Sequence, residues 1–539
     1  LWAQNQPVKG KVLDEKTKEA LIGVSVLEAG STSNGTVTDL DGNFSLSVPE
    51  GATLRISYVG YLVQEIPLNG RKSLEVLLKE DTEMLDEVVI VGYGVQKKAT
   101  LSGSVTSIGG EKLANTPVTN VSQGLAGRLP GVVAISNTAE PGYDGATIRI
   151  RGVNTFGKAD PLVVVDGVPG RSLERIDPST IETMSVMKDA SAAIYGAQAA
   201  NGVIIITTKR GKKGKPTVNL SYNYGISRPT VIPEMANASE YATLLNEIDK
   251  YAGNKERYTP EDIQKYRDGS DPWSYPNTDW FKETLKPWSP QTYANATIDG
   301  GTDNMTYFVS VSAKTQDGFY RNSGTKYNQY DLKSNLDLKL NKYINLFMNL
   351  TGRMEDRKYP TRSSENIFRM LMRSKPNMPA YWPNGLPGPD IEFGDNPVVI
   401  ATDATGYERD KRYILNGDFG VNINVPYVEG LTLKATASLD KNFRFRKIWQ
   451  TPWTLYSWDG TSMDENNNPL LVEGKKGFSD PRLRESMEDN QNILLSGIIN
   501  YNRTFAENHS VNVLAGAERI TGKGDSFEAV SYTHLTLPT

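Results

Sequence analysis

The sequence has no cysteine and only two histidines, His509 and His534, in 539 residues. Without cysteine there is no disulfide framework, no thiolate metal site and no cysteine nucleophile. A serine triad, a histidine zinc site or an imidazole proton shuttle would have to use one of the two histidines, and neither sits in a recognisable motif. No metal site and no cofactor is therefore expected. An excess of one charge is missing as well: 59 Lys+Arg stand against 63 Asp+Glu, a net −4, so there is no electrostatic footprint for nucleic acid. Long apolar runs are absent too. Stretches such as Leu162–Val165 and Val203–Ile206 fall far below the about 18 residues of a spanning helix. Membrane barrels escape that test, because their strands carry a weaker hydropathy signal. Carboxylate chemistry of the glycosidase kind stays open, but no motif nominates a paired acid and base. An enzyme is not expected.

The chain opens on Leu1-Trp2-Ala3-Gln4, which fits the last residues of a secretory signal peptide or an ordinary internal start. At the other end, residues 531–539 (Ser531 to Thr539) break the preceding pattern and resemble translated adapter read-through. That segment is expected to be a non-native tail.

What is present is mostly β signal. In residues 7–79, short β-rich runs at Gly10–Leu13, Gly23–Leu27, Gly35–Asp39, Asn43–Val48, Thr53–Val59 and Ser73–Leu78 are divided by Gly, Asp and Asn, which predicts a small β-sandwich. Asp39, Asp41, Asn43 and Glu50 sit at calcium-loop offsets, but Phe44 occupies the position that loop reserves for glycine, so Asp41-Gly42 is read as a hairpin turn. Residues 80–96 form a linker: an acidic stretch, then Val88-Val89-Ile90-Val91-Gly92-Tyr93-Gly94. This run is either an interior strand of the next domain or a strand kept for pairing with a partner's sheet edge. From residue 97 to 212, glycine turns alternate with apolar strands. Ile148–Gly152 is two-periodic, with Arg149 and Arg151 expected on one face, and Leu162–Pro169 runs into an Asp166-Gly167 turn. Ile181–Lys188 precedes an alanine-rich helical turn that Asp189 is expected to cap and Gly196 to end, and Asn201-Gly202 leads into the strand Val203–Lys209.

Two resemblances follow from these blocks. Residues 7–79 resemble the transthyretin-type, carboxypeptidase regulatory-like module (an Ig-like sandwich) in Val8–Val12, Gly35–Phe44 and Ile56–Tyr61. Leu85–Gly94, Leu125–Val132, Ile148–Gly152, Leu162–Pro169, Ile181–Gly196, Asn201–Thr208 and the stretch Tyr258–Trp280 resemble TonB-dependent outer-membrane transporters of the SusC/RagA branch, through their plug domain. The resemblance runs from about Val8 to Ile520 and implies a mainly β chain: sandwich, α/β plug at 97–212, then the first part of a transmembrane antiparallel β-barrel at 216–521. Family members are longer, so an N-terminal part of a barrel of about 22 strands is expected. The resemblance also implies a cell outer membrane location, import of a glycan or peptide oligomer, a SusD-type lipoprotein lid, and TonB with ExbB–ExbD engaging a strand. That strand is expected at Asp86, Glu87, Val88, Val89, Ile90, Val91, Gly92, Tyr93 and Gly94.

The barrel has independent support. Leu332, Ser334, Leu336, Leu338 and Leu340 alternate with polar residues, as do Leu431, Leu433, Ala435, Ala437 and Leu439, and roughly nine such segments occur between 216 and 521. A soluble sandwich shows the same alternation. The connections separate the two: short links near 301–303, 341–342, 426–430 and 506–508 alternate with longer ones near 226–291, 315–325, 354–410 and 447–490. Outer-membrane barrels have that parity. Within the long links, Ser239 is expected to cap a helix to about Ala252, and Thr259 one that Gly269 stops. Tyr381, Trp382, Trp449 and Trp453, set among Asn, Asp and Gly, are candidates for stacking on sugar rings. The competing reading is a secreted or surface-attached, β-rich carbohydrate-binding protein without transport.

Overall fold

The computed structural model describes residues 5–532, apart from 16, 30–33, 50, 59–60, 80–87, 92–93, 98–104, 117–119, 137, 139, 154, 156, 189 and 506–508. The chain divides into two compact units, Leu1–Ser104 and Val105–Thr539.

Among the described residues of the first unit, its first seven strands form two sheets. β1 (Asn5–Asp14) lies between β4 (Asn43–Pro49) and β7 (Ser73–Leu78), antiparallel to one and parallel to the other. The second sheet runs β3 (Gly35–Val37), β2 (Ser25–Glu28), β5 (Thr53–Ser57), β6 (Gln64–Pro67). The strict alternation along β4, buried at Phe44, Leu46 and Val48, is the period of a strand with one face in a core. Val8, Val12, Val26, Leu54 and Ile56 complete that core from both sheets. Gly10 is required opposite Phe44, because a Cβ there would lie 2.5 Å from the ring. The Asp39 carboxylate accepts from the amides of Asp41 and Asn43 at 3.0 and 2.8 Å, and Gly42 has φ +76°, so a turn forms at Asp41-Gly42, but it is not the expected hairpin: it carries the chain from β3 in one sheet to β4 in the other. With its own two-sheet core, the isolated 7–79 fragment is expected to unfold cooperatively in water. A circular-dichroism melt without a transition would refute that autonomy. Farther along, β8 (Val88–Val91) pairs with β9 (Gly94–Lys97) as a two-stranded hairpin.

The second unit begins with the plug. Its sheet has the order β10 (Val105–Gly109), β15 (Ile181–Met187), β16 (Val203–Thr208), β13 (Leu162–Val165), β14 (Val168–Pro169). β11 (Val132–Ser136) and β12 (Ala146–Ile150) form a separate pair. β16 is buried almost throughout because neighbours cover both its edges and faces, which is why it reads as a continuous apolar run. Met184, Val186, Ile204 and Ile206 pack with Leu125, Ile148 and Ile150. One expectation fails here: Arg149 and Arg151 do not share a strand face. β12 ends at Ile150, and Arg151 turns out with φ +58°. The alanine-rich turn spans Ala190–Ala199 and is kinked at Gly196, while its expected cap, Asp189, lies outside the described residues.

Nine long strands follow in one antiparallel sheet, each beside its sequence neighbour: β17 (Gly214–Ser227), β18 (Ser289–Gly301), β19 (Met305–Asp317), β20 (Lys326–Lys339), β21 (Ile344–Tyr359), β22 (Gly406–Asn424), β23 (Leu431–Gln450), β26 (Arg482–Phe505) and β27 (His509–Tyr532). The expected non-native tail begins inside β27 at Ser531, and Thr533–Thr539 lie outside the described residues. Turns at 302–304, 340–343 and 425–430 are short, whereas 228–288, 360–405 and 451–481 are long, the last containing a hairpin of β24 (Trp453–Ser457) and β25 (Val472–Lys476).

The two faces of this sheet differ. Leu332, Leu415, Phe419, Leu495 and Ile499 lie bare on one, each about half exposed, while Asp331, Lys333, Asn335, Asn349 and Asp418 are buried on the other. A sandwich would bury the apolar face. Here the polar face is covered at these positions, by the plug, and the apolar face is left bare. Among the described residues no helix is long and apolar enough to cross a membrane.

The long loops pack into a layer of their own. Helix Ala238–Tyr251 is capped by Asn237, not Ser239: only Asn237 places Glu240 at the third position, where both halves of a capping box close. Helix Pro260–Asp268 starts at Thr259 and stops at left-handed Gly269 as expected. Trp280, Phe281, Ile367, Met370, Val399, Ile400 and Trp453 form the loop core.

Candidate functional site

The site is the contact between plug and polar wall, and it starts from one turn. Asp166 and Gly167 take φ +51° and +88°, the two-residue geometry that Asp-Gly favours between β13 and β14. The Asp166 carboxylate then accepts from the Thr208 amide and hydroxyl at 2.9 and 2.7 Å and lies 3.6 Å from Lys333 of the wall. Burial by itself would raise this carboxyl, but Lys333 and Thr208 outweigh it and hold it below the usual carboxylate range.

Beyond the turn, Arg171 reaches the wall. Its guanidinium donates to Asp418 on β22 at 3.0 and 2.5 Å, and to Asp440 on β23 at 2.7–3.2 Å. Burial opposes the charge, yet these two carboxylates push the guanidinium above its ordinary value. Asp418 has 3% side-chain exposure and Arg171 11%, so this is a desolvated fork rather than a surface pair. Arg175 pairs with Asp144 inside the plug at 2.6 Å and lies 4.9 Å from the Tyr327 ring, while its carbonyl accepts from Gln329 at 2.9 Å. Asp177 caps the turn Pro178–Thr180 and accepts from the Tyr293 hydroxyl at 2.7 Å. Burial would raise Asp177, but Lys314, Ser312 and Tyr293 lower it further. At the plug's end Arg210 bonds Asp337 and Asn349, and Asn335 donates to Thr208 and the Lys209 carbonyl.

The chemistry here is retention and release. The plug keeps its apolar core to itself and meets the wall through hydrogen bonds and ion pairs. Buried ion pairs roughly break even against solvation when both partners are satisfied, so such an interface can open if water replaces each contact, whereas an apolar interface of the same size would resist.

A second contact lies toward the long loops. Tyr359 donates to the Pro141 carbonyl at 2.6 Å and stacks on Tyr143 at 5.1 Å. Beside them, burial pushes the Glu140 carboxyl up to about 7; a hydrogen bond to Ser364 pulls it down in part and Glu408 adds to the rise. Between its ordinary 4.5 and about 7 the folded protein holds more protons at this group than the unfolded chain, so its contribution to stability falls as pH rises through that window. Glu140→Gln is expected to flatten the decline of the thermal midpoint across that range. An unchanged slope would refute the assignment.

The sequence candidates fall in three places. Of the coupling segment, Val88–Val91 and Gly94 lie in the β8–β9 hairpin, while Asp86, Glu87, Gly92 and Tyr93 are outside the described residues. Trp382 and Trp453 are buried, with their indole N–H groups donating to the carbonyls of Tyr456 and Gly394, and Tyr381 is 36% exposed. Trp449 stands apart on β23, opposite Tyr407. Trp382 joins two residues not singled out from sequence: it stacks on Trp273 at 5.6 Å, and Trp458 meets both edge-on at 6.2 and 6.3 Å. One tryptophan comes from each of three long loops, so the cluster ties those loops together. Arg171, Asp418 and Asp440 were also not singled out, and no local motif marks them.

A plug held by buried ion pairs against the polar face of an antiparallel sheet, whose other face is bare and apolar, defines a plugged barrel. Residues 97–203 match the TonB-dependent receptor plug domain, and residues 8–90 the CarboxypepD_reg-like domain. The chain is 33% identical over 459 residues to the TonB-dependent receptor SusC of Bacteroides thetaiotaomicron, covering 79% of this chain and 43% of that protein. It is 32% identical over 502 residues to the TonB-dependent receptor P39 of Formosa agariphila, covering 92% and 44%. Its fold matches the structure of the RagAB peptide importer in the 'open-open' state with a TM-score of 0.66 at 24% identity, over 83% of this chain and 50% of that one. The chain is thus a SusC-like TonB-dependent receptor in the region it spans, which is about half the length of the curated relatives it matches.

Proposed function

We propose that this chain belongs to an active importer of the bacterial outer membrane, in which the plug gates a lipid-embedded barrel for a nutrient oligomer, glycan or peptide. Energy arrives through TonB, driven by ExbB–ExbD, pulling on the segment around Val88–Val91. A SusD-like lipoprotein closes the long-loop end over the cargo, where Tyr381, Trp382, Trp449 and Trp453 remain candidates for cargo contact. On this reading the chain binds and moves its cargo without catalysing a reaction on it. The observation that carries the proposal is the plug–wall interface, where Arg171, Asp166, Asp177 and Arg210 meet the wall through polar contacts that water can replace. A binding protein without transport has no use for a releasable plug. Cells expressing the complete receptor are expected to lose cargo uptake, but keep surface binding, when a protonophore is added. Uptake insensitive to the protonophore, or a protein that leaves membranes without detergent, would refute the reading.

A further inference from the structure

Beside the Arg171 fork lies a cavity of about 300 Å³ between plug and wall. On its wall side, amides stand in two adjacent rungs. Asn442 on β23 is directly opposite Asn490 on β26, and one rung away Asp440 is opposite Asn492. The next strand, β27, answers these amides with glycine: Gly524 faces Asn490 and Gly522 faces Asn492. A Cβ at Gly524 would lie 2.7 Å from the Asn490 Oδ1, and one at Gly522 would lie 2.8 Å from the Asn492 Oδ1. The two glycines are therefore what lets the amides lie where they do. Among the described residues the Asn442 Oδ1 is buried without a hydrogen-bond partner, while Asn490 and Asn492 are exposed beside it. Leaving a buried polar atom unpaired carries a cost, and a site built for a hydrogen-bonding ligand is one reason for it.

We infer that Asn442, Asn490 and Asn492 form a cargo-binding ladder inside the barrel, and that it takes a polyhydroxylated chain. This deepens the importer reading and rests on it. An amide side chain offers both donor and acceptor, as a hydroxyl does, so each rung can satisfy a sugar hydroxyl in either sense. Aromatic side chains are absent from the cavity lining, and its aliphatic members are only Val165, Ile176 and Ile414. A peptide of mixed sequence would find no pocket there for its apolar side chains, whereas a saccharide needs none. The ladder also ends at the fork: Asp440, which holds Arg171, accepts from Asn416 at 2.6 Å and is cross-strand neighbour to Asn492. A hydroxyl chain on the rungs competes for Asp440 and loosens the plug at the point where cargo has arrived.

The test is equilibrium binding to the complete, detergent-solubilised receptor, with malto-, xylo-, manno- and fructo-oligosaccharides as one set of probes and a casein digest as the other. It needs neither TonB nor transport, so it can fail while the importer reading stands. At least one saccharide set is expected to bind, and the Asn490→Ala/Asn492→Ala variant to bind it tenfold or more weakly. Gly522→Ala and Gly524→Ala, which keep the amides but displace them, are expected to weaken binding in the same direction. Unchanged affinity in the double variant overturns the ladder. Peptide binding that the same variant abolishes overturns the saccharide assignment, as does a wild-type receptor that binds no saccharide.

Discussion

Val89→Pro in the complete receptor is expected to abolish energised uptake while surface abundance and cargo affinity stay at wild-type levels. Among the described residues Val88–Val91 pairs with Gly94–Lys97 and no other strand, with Val89 opposite Gln96. A two-stranded hairpin is marginally stable in water, so the strand can leave its partner at little cost and pair with another sheet edge. Strand addition relies on main-chain hydrogen bonds, and proline removes one N–H and fixes φ. Truncating the side chain instead, as in Val89→Ala, should cost little. Uptake, surface labelling and cargo binding measured on the same cells decide the matter. Normal uptake at normal abundance would eliminate the segment as the coupling strand, and lost abundance would make it a folding element instead.

Arg171→Ala is expected to loosen the plug without unfolding it. The substitution strands Asp418 and Asp440, one almost wholly buried, without their cation. Breaking a buried pair from one side costs about 3–5 kcal/mol, because the remaining charge is left desolvated. Amides around Gly170–Asp177 should then exchange with solvent on the order of a hundred-fold faster or more, as local opening draws nearer in free energy. Cells should also admit antibiotics too large for ordinary porins. Adding Asp418→Asn and Asp440→Asn removes the stranded charges and is expected to restore most of the protection. Exchange unchanged in Arg171→Ala would show that the fork does not hold the plug.

Much of this molecule is legible in one dimension because its signals are local or periodic. Alternation with period two marks the barrel strands, since neighbouring side chains of a strand must face opposite sides. Loop parity marks the barrel, since hairpins at one end are tight and at the other are not. Asp-Gly at 41–42 and 166–167 names two turns, because glycine takes positive φ without strain and aspartate tolerates it better than most residues. Where local chemistry was ambiguous, the prediction slipped: Asn237 and Ser239 are both competent caps, and only the position of Glu240 chooses between them. Arg151 left its strand because the chain turns there, at a residue not usually found with positive φ.

The site itself depends on separations that no local pattern records. Arg171 meets carboxylates 247 and 269 residues away, and three tryptophans from three loops meet one another. A charged residue on a polar face reads the same in sequence whether it faces water, a neighbour or a plug. The sequence determined which face of each strand is polar, and where the turns fall. Which polar residues are desolvated and paired, and which amides are left over to bind something else, was decided only when the plug settled against the wall, because pairing and burial are properties of distance in space.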